Sequence, residues 1–299
     1  MKIGDIIIAL GITLAVLFVS MSLSRQEIDP TDYTASFDGL TLTHSAPEFT
    51  KGELAPARLD VKVDGGLLPD SSTIFVYLRP ANSLADTAFR RAPMLTVPGE
   101  GLVYRRDLLN QGTGKRFEYY IQLVAPKDST MTDTVLATIP AEHSTNSAKV
   151  LSVLFKGTPP RNITIARLAV MFAALLLMLL AFFSSMAYPK DLGAITRAGR
   201  LSFIGTLLVL VGVFLLGTKV GLATSGQAWS GLPVGSNLSD TASALLVIFW
   251  LAVILILRKQ IFKGESAEDL VSRRVQLLLA SGVVLAIITV LIPNGIGRI

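Results

Sequence analysis

The sequence predicts a multi-domain membrane protein, in which an all-β sandwich of the immunoglobulin or fibronectin type is joined to an α-helical transmembrane bundle, with five helices in total. Of the 299 residues, 51% are apolar and only 16% are charged, well below the ~25% of an ordinary soluble domain. The apolar residues are concentrated in five long runs, and the segment between the first and second runs has short, alternating apolar stretches. We therefore divide the chain into an anchor helix at 1–24, a β domain at 25–161 and a four-helix region at 162–299.

Five segments contain enough apolar residues to cross a membrane as helices, which takes about 20 residues for roughly 30 Å of hydrocarbon. The predicted spans are Ile3–Leu23, Leu168–Tyr188, Leu201–Leu222, Thr241–Leu257 and Val275–Ile292. Lys2 and the small residues Ser20 and Ser22 would also fit a cleaved signal peptide. Asp5 and the length of the apolar run favour a retained first helix, and in both cases the following segment is exported.

Lys and Arg residues predict the orientation of the chain, because cationic loops stay on the cytoplasmic side of a membrane. The segment Ala223–Asp240, between the third and fourth spans, contains no Lys or Arg. The loops after the second and fourth spans contain Lys190, Arg197 and Arg200, and Arg258, Lys259, Lys263, Arg273 and Arg274, respectively. We therefore expect residues 25–161 on the extracytoplasmic side, with the lipid bilayer as a partner.

The β domain is predicted from short strands separated by turns rich in Gly, Pro and Asp, a spacing typical of β-sandwiches. The predicted strands are Ser36–Thr43, Arg58–Val63, Thr73–Leu78, Gly101–Arg105, Arg116–Val124, Thr134–Thr138 and Lys149–Phe155. In the fifth strand, alternation predicts the core-facing residues Phe117, Tyr119, Ile121 and Leu123. We interpret Tyr119 and Tyr120 as structural residues; an aromatic platform for a glycan or peptide is the alternative.

Composition and motifs argue against most catalytic classes. The chain has no cysteine, which excludes disulfides, Cys-bound zinc, iron–sulfur clusters and thiol nucleophiles. Its two histidines, His44 and His143, are too far apart in sequence to predict a metal site. Gly112-Thr113-Gly114-Lys115 lacks the spacing of a phosphate loop and precedes a strand, so it is interpreted as a hairpin turn. We expect no catalytic residue, metal or cofactor.

We attribute the net charge of +5 to membrane-flanking loops, so no nucleic acid is expected as a partner.

The most unusual segment lies between the third and fourth predicted spans. Its candidate residues are Trp229, Gly231, Pro233, Gly235, Asn237 and Asp240. Gly and Pro favour one specific backbone shape, and Trp favours the lipid–water interface. We expect Ser239 or Asp240 to cap the following helix. The segment is either a structural connection or a re-entrant turn that lines a cavity or docks under the β domain.

Two charged residues are candidates for the membrane interface, Lys219 near the outer end of the third span and Arg167 next to the second. A long cationic side chain at this depth can extend to the headgroups. Lys219 could alternatively pair with Asp240 across the loop.

Two motifs are distinctive, the turn Phe155-Lys156-Gly157 and the loop with Trp229, Gly231, Pro233 and Gly235. With them the chain resembles a family of uncharacterised bacterial membrane proteins that have an anchor helix, an outer sandwich and four further helices. The resemblance implies a bacterial inner-membrane location but no activity. The family tends to have Asp, Thr and His where this chain has Asn237, Ser239 and Asn294. A proton or metal function of those Asp and His positions is therefore not expected here.

These patterns favour a non-enzymatic accessory or scaffold subunit of a bacterial membrane protein complex. Such a subunit would present a membrane-proximal β-sandwich to other membrane subunits or to a second copy of itself. Two alternatives stay open: a transporter or permeation-pathway component that uses the Trp229–Asp240 outer loop, and an extracytoplasmic binding receptor.

Overall fold

The structure is a computed structural model that describes residues 2–25, 30–51, 56–81, 88–126, 133–145, 149–188, 190–191, 193–233, 237–262 and 272–292. The chain forms two compact units. The helical unit comprises Met1–Glu27, Pro159–Leu222 and Gln227–Ile299, and the β unit comprises Ile28–Thr158 and Ala223–Gly226. Of the residues discussed in the sequence analysis, Gly235, Lys263 and Asn294 lie outside the described residues.

The described part of the β unit contains eleven strands in two sheets. They are β1 (Thr31–Phe37), β2 (Leu40–Ala46), β3 (Phe49–Lys51), β4 (Ala57–Asp64), β5 (Thr73–Pro80), β6 (Arg90–Pro93), β7 (Leu95–Thr96), β8 (Val103–Leu108), β9 (Arg116–Ala125), β10 (Thr134–Ile139) and β11 (Leu151–Lys156). The first sheet has the order β1-β2-β4-β8-β7, and the second has the order β3-β11-β9-β5-β6, with β10 also paired to β9. The β3–β11 pair is parallel.

Both sheets contribute side chains to one core, because alternate residues of each strand face the same side. In β4, Leu59 and Val61 are buried while Arg58 and Lys62 are exposed. In β9, Tyr119, Ile121 and Leu123 are fully buried and Phe117 is partly buried against the same core. The predicted core face of this strand is therefore confirmed.

The prediction of one strand at Ser36–Thr43 is wrong, because a hairpin turn divides it. Asp38 and Gly39 have φ angles of 46° and 81°, and strands β1 and β2 pair with each other on either side of them. Positive φ at both central residues is the geometry of a type I′ turn, for which Asp-Gly is a preferred sequence. Short strands β3, β6 and β7 were not predicted, since two to four residues give too little alternation to detect. The predicted strand Gly101–Arg105 is instead Val103–Leu108.

The helical unit contains six described helices: α1 (Ile3–Arg25), α2 (Arg161–Met186), α3 (Ala194–Ser225), α4 (Leu238–Ile256), α5 (Arg258–Phe262) and α6 (Ser272–Leu291). Within the described residues, all of these except α5 are long and apolar enough to cross a membrane. This confirms the five predicted apolar spans and fits a membrane protein.

Helices α2, α3, α4 and α6 all begin earlier than predicted, α2 and α3 by about two turns, because hydropathy identifies apolar spans and not the polar turns that extend them. Arg161 and Arg167 lie within α2. Arg197 and Arg200, which we assigned to a loop, lie in the first two turns of α3. In addition, α3 contains a π-helical segment, Val211–Gly217.

Contacts between helices show which of their ends lie together. Near the end of α2, the carbonyl of Ser185 accepts a hydrogen bond from Gln276 Nε2, near the start of α6, at 3.1 Å. A Cβ added to Gly199, near the start of α3, would lie 2.8 Å from Ile261 Cγ1 of α5. At the other end of the helical unit, Ser20 Oγ of α1 donates to the carbonyl of Val290 in α6 at 3.0 Å.

Candidate functional site

The loop before α4 is organised around the carboxylate of Asp240. Asp240 Oδ2 accepts hydrogen bonds from the backbone N–H of Ser230 at 3.0 Å and from Ser230 Oγ at 2.9 Å. Ser230 Oγ also accepts a hydrogen bond from Asn237 Nδ2 at 2.9 Å. The first turn of α4 and the start of the loop are therefore joined by a hydrogen-bonded network of three side chains.

Asn237 caps α4, and the expectation that Ser239 or Asp240 would do so is corrected. The Asn237 side chain accepts a hydrogen bond from the backbone N–H of Ser239 at 3.0 Å, from an extended backbone conformation. Ser239 and Asp240 lie in the first turn of the helix instead. The Asp240 carboxylate still lies near the positive end of the helix dipole, as expected.

Glycine is required at position 231 because the loop lies directly on α4. Gly231 is buried, and a Cβ added there would lie 2.8 Å from both Asp240 Cβ and the backbone nitrogen of Thr241. Thr241 Oγ1 accepts a hydrogen bond from the backbone N–H of Leu232 at 3.0 Å. Leu232 precedes Pro233, and the peptide bond between them is cis.

Trp229 joins the loop to α3. Its ring stacks on Phe214 with centroids 6.3 Å apart and an interplanar angle of 20°. Its Nε1 donates to the carbonyl of Leu232 at 3.3 Å. Phe214 belongs to the π-helical segment, so this segment and the loop lie side by side.

Arg167 of α2 extends toward the same place. A Cβ added to Gly217, the last residue of the π-helical segment, would lie 3.7 Å from Arg167 Nε and 3.9 Å from Arg167 Cζ. The Asp240 carboxylate is close enough to attract the guanidinium electrostatically. The structure therefore brings Arg167, Gly217 and Asp240 together from three helices. By contrast, Lys219 is exposed, and within the described residues it forms no pair with Asp240.

The β unit has a separate aromatic cluster on the outward face of its second sheet. The ring of Tyr120 stacks on Tyr77 with centroids 4.6 Å apart and on His143 with centroids 4.0 Å apart. Phe89 makes an edge contact with Tyr120 at 4.9 Å. Since aromatic neighbours stack on the Tyr120 ring, this geometry gives no support to Tyr120 as a platform on which a sugar could stack.

A buried polar pair connects the two sheets of the β unit. His44 Nε2 of β2 lies 2.9 Å from the Tyr119 hydroxyl of β9, and His44 Nδ1 lies 2.7 Å from the carbonyl of Asp60. Because a carbonyl only accepts, Nδ1 carries the proton and Nε2 accepts from the tyrosine. Burial lowers the pKa of His44 and raises the pKa of Tyr119. The pair is therefore neutral and fully hydrogen-bonded.

Chemically, the loop is occupied by its own contacts. Asp240 Oδ2 is used by two donors of Ser230, and Asn237 is used by the helix cap. Within the described residues, no three His, Asp or Glu side chains are grouped so that they could hold a metal ion. The arrangement is suited to holding a fixed shape, and among the described residues no hydrogen bond or ion pair joins Arg167 to it.

Comparisons with known proteins place this chain in no family: no family model matches it, and no curated protein matches it.

Several residues of this site were missed by sequence reasoning. Ser230, Thr241 and Phe214 take part in the contacts described above, but Ser, Thr and Phe are common residues in membrane helices and loops. Their roles depend on helix packing that no local pattern predicts. The one available signal was the position of Ser230 between Trp229 and Gly231, within the predicted loop.

Proposed function

We propose that this chain is a non-enzymatic accessory or scaffold subunit of a bacterial membrane protein complex. Its five apolar helices span the inner membrane, and the β unit, an immunoglobulin- or fibronectin-like sandwich, lies on the extracytoplasmic side. The β unit is presented to another membrane subunit or to a second copy of this chain.

The observation that carries this proposal is the self-contained hydrogen bonding of the loop before α4. Ser230 bonds to both Asp240 and Asn237, so the described ends of the segment with the most unusual sequence are held by contacts within the protein. The buried pair His44–Tyr119 is likewise satisfied within the fold. Polar groups that are bonded within the protein support a role in presenting the β unit to a partner over a catalytic role.

Purification of the tagged chain from native membranes in a mild detergent tests this proposal. We expect a complex of fixed stoichiometry, containing a second kind of subunit or a second copy, when its mass is measured by light scattering. The variant Asp240→Ala, altered only in the first turn of α4, should keep that stoichiometry. A monomer obtained at every detergent concentration and after chemical crosslinking in the membrane would refute the proposal.

A second candidate function is a permeation-pathway component. It is favoured by one observation, the half-buried Arg167 beside Asp240 among apolar helices, because ionisable residues at such positions often mark ion pathways. Ion or solute flux into vesicles containing the purified chain should then fall at least severalfold in both Arg167→Gln and Asp240→Ala. Flux equal to that of empty vesicles would exclude this candidate.

A further inference from the structure

Arg167 is a charged side chain whose hydrogen-bonding capacity is not used inside the protein. It is half-buried, and in the parts of the chain that the structure describes its guanidinium donates no hydrogen bond and forms no ion pair. A guanidinium has five N–H donors and cannot be deprotonated in proteins. Since unpaired charged donors are costly at the edge of hydrocarbon, the guanidinium favours a polar partner from outside this part of the chain.

Asp240 does not fill that role. Its carboxylate attracts the guanidinium, but no hydrogen bond or ion pair joins these two described side chains, and Oδ2 is bonded to the N–H and hydroxyl of Ser230. The N–H donors of Arg167 are therefore free to bind another group.

The surroundings of Arg167 combine this charge with exposed apolar surface. The guanidinium lies against Gly217, where the lack of a side chain makes room for it. On the same face of α2, about one turn before and after Arg167, Ile163, Val170 and Met171 are apolar and partly exposed. A ligand that suits both features has an anionic head and apolar chains.

We propose that Arg167 binds the phosphate group of a phospholipid. The planar fork of a guanidinium matches two oxygens of a phosphate. Arg167 lies six residues after Arg161, where α2 begins, which places it roughly 9 Å along the helix at 1.5 Å per residue. The headgroup layer on each side of a bilayer is about 5–7 Å thick. With Arg161 at the outer surface of the bilayer, as in the proposed topology, Arg167 lies near the boundary between headgroups and hydrocarbon, where phosphates are the abundant anions.

Lipid titration of the delipidated full-length chain in detergent tests this site. We expect phosphatidylglycerol to raise the unfolding temperature, and a diacyl glycolipid, which has similar chains but no phosphate, to raise it much less. Inorganic phosphate distinguishes a lipid site from a site for free phosphate. It should change the unfolding temperature little. A shift equal to that of phosphatidylglycerol would show a free-phosphate site and refute the lipid. Arg167→Gln should require roughly tenfold more phosphatidylglycerol for the half-maximal shift.

Matched variants separate this site from general charge effects. Lys219→Gln removes the same charge from an exposed position on α3 and should titrate like the wild type. Asp240→Asn should bind phosphatidylglycerol at least as well as the wild type, because it removes a negative charge near the phosphate.

If Arg167→Gln folds poorly, Arg167→Lys, which keeps the charge but lacks the fork, should show an affinity for phosphatidylglycerol between that of the wild type and no binding. The proposal is overturned if Arg167→Gln titrates like the wild type, or if Lys219→Gln or Asp240→Asn weakens binding as much as Arg167→Gln does.

Discussion

At the scale of single residues, His44 and Tyr119 show how the β unit tolerates polar groups in its core. Both side chains are fully buried, yet each finds a partner: the histidine binds the Asp60 carbonyl and the tyrosine binds the histidine. Losing one member would leave the other unsatisfied, at a cost of about 1–3 kcal/mol. The pair therefore stabilises one particular alignment of β2 with β9.

The same pair predicts a pH dependence of the β unit. Burial holds the pKa of His44 below its ordinary value of 6.5, and unfolding restores that value. As the pH falls from 6.5 toward the lowered pKa, the unfolded state binds a proton that the folded state does not. The free energy of unfolding should therefore decrease across this window. At pH values below the lowered pKa, His44 should cause no further decrease. Hydrogen exchange of the β9 amides, followed from about pH 8 to pH 5, measures the effect.

Two histidine variants isolate this contribution. His44→Gln should reduce the pH dependence, while His143→Gln, altered on the outward face of the second sheet, should keep it. Equal pH profiles for the wild type and His44→Gln would show that the buried histidine does not cause the effect.

At the scale of whole elements, glycines set how closely the helices approach, and their neighbours decide what a substitution costs. A Cβ at Gly282 of α6 would lie 2.7 Å from Trp250 Cζ2 and 2.8 Å from Phe249 Cε1. Aromatic rings cannot bend away, so α4 and α6 would have to separate. At Gly199 the closest atom is Cγ1 of Ile261, at 2.8 Å, and the next atoms are 3.7 and 3.8 Å away, so a single aliphatic contact has to adjust.

We therefore expect Gly282→Ala to destabilise the helical unit by roughly 1–3 kcal/mol, as overpacking of a filled core does, and Gly199→Ala to cost less. Gly11→Ala is the matched control, because no atom lies within 4 Å of a Cβ added there. Thermal unfolding in detergent, followed by circular dichroism, ranks the three variants. A Gly282→Ala protein as stable as Gly11→Ala would contradict the close packing of α4 on α6.

The sequence predicted the elements best where many residues contribute to one signal. Five apolar spans were evident because some 20 residues each carry the same preference, whereas β7 has two residues and could not be detected. The cap of α4 was misplaced because Asn237, Ser239 and Asp240 are all good capping residues. The meeting of Arg167 with Gly217 and Asp240 was not predictable, since it depends on how three helices pack.

At the scale of the whole molecule, the absence of cysteine from the sequence makes the proposed orientation directly testable. Single-cysteine variants Lys62→Cys in β4 and Lys259→Cys in α5 replace exposed residues. In intact cells with a permeabilised outer membrane, a membrane-impermeant maleimide should label the first and not the second. Labelling should reach both after the inner membrane is disrupted. The reverse pattern in intact cells would invert the orientation and with it the assignment of the β unit to the extracytoplasmic side.

The hydrogen bond from Ser20 to Val290 has a consequence for the order of assembly. It joins the first described helix to the last, 270 residues further along the chain. A ribosome delivers α1 long before α6, so the face of α1 around Ser20 waits for its partner until the last described helix has been made. Domains generally fold as units during synthesis, starting from the N-terminal side. The β strands can thus be complete while the first helix still lacks its final neighbour, and closure of the helical unit is a late, post-insertion event.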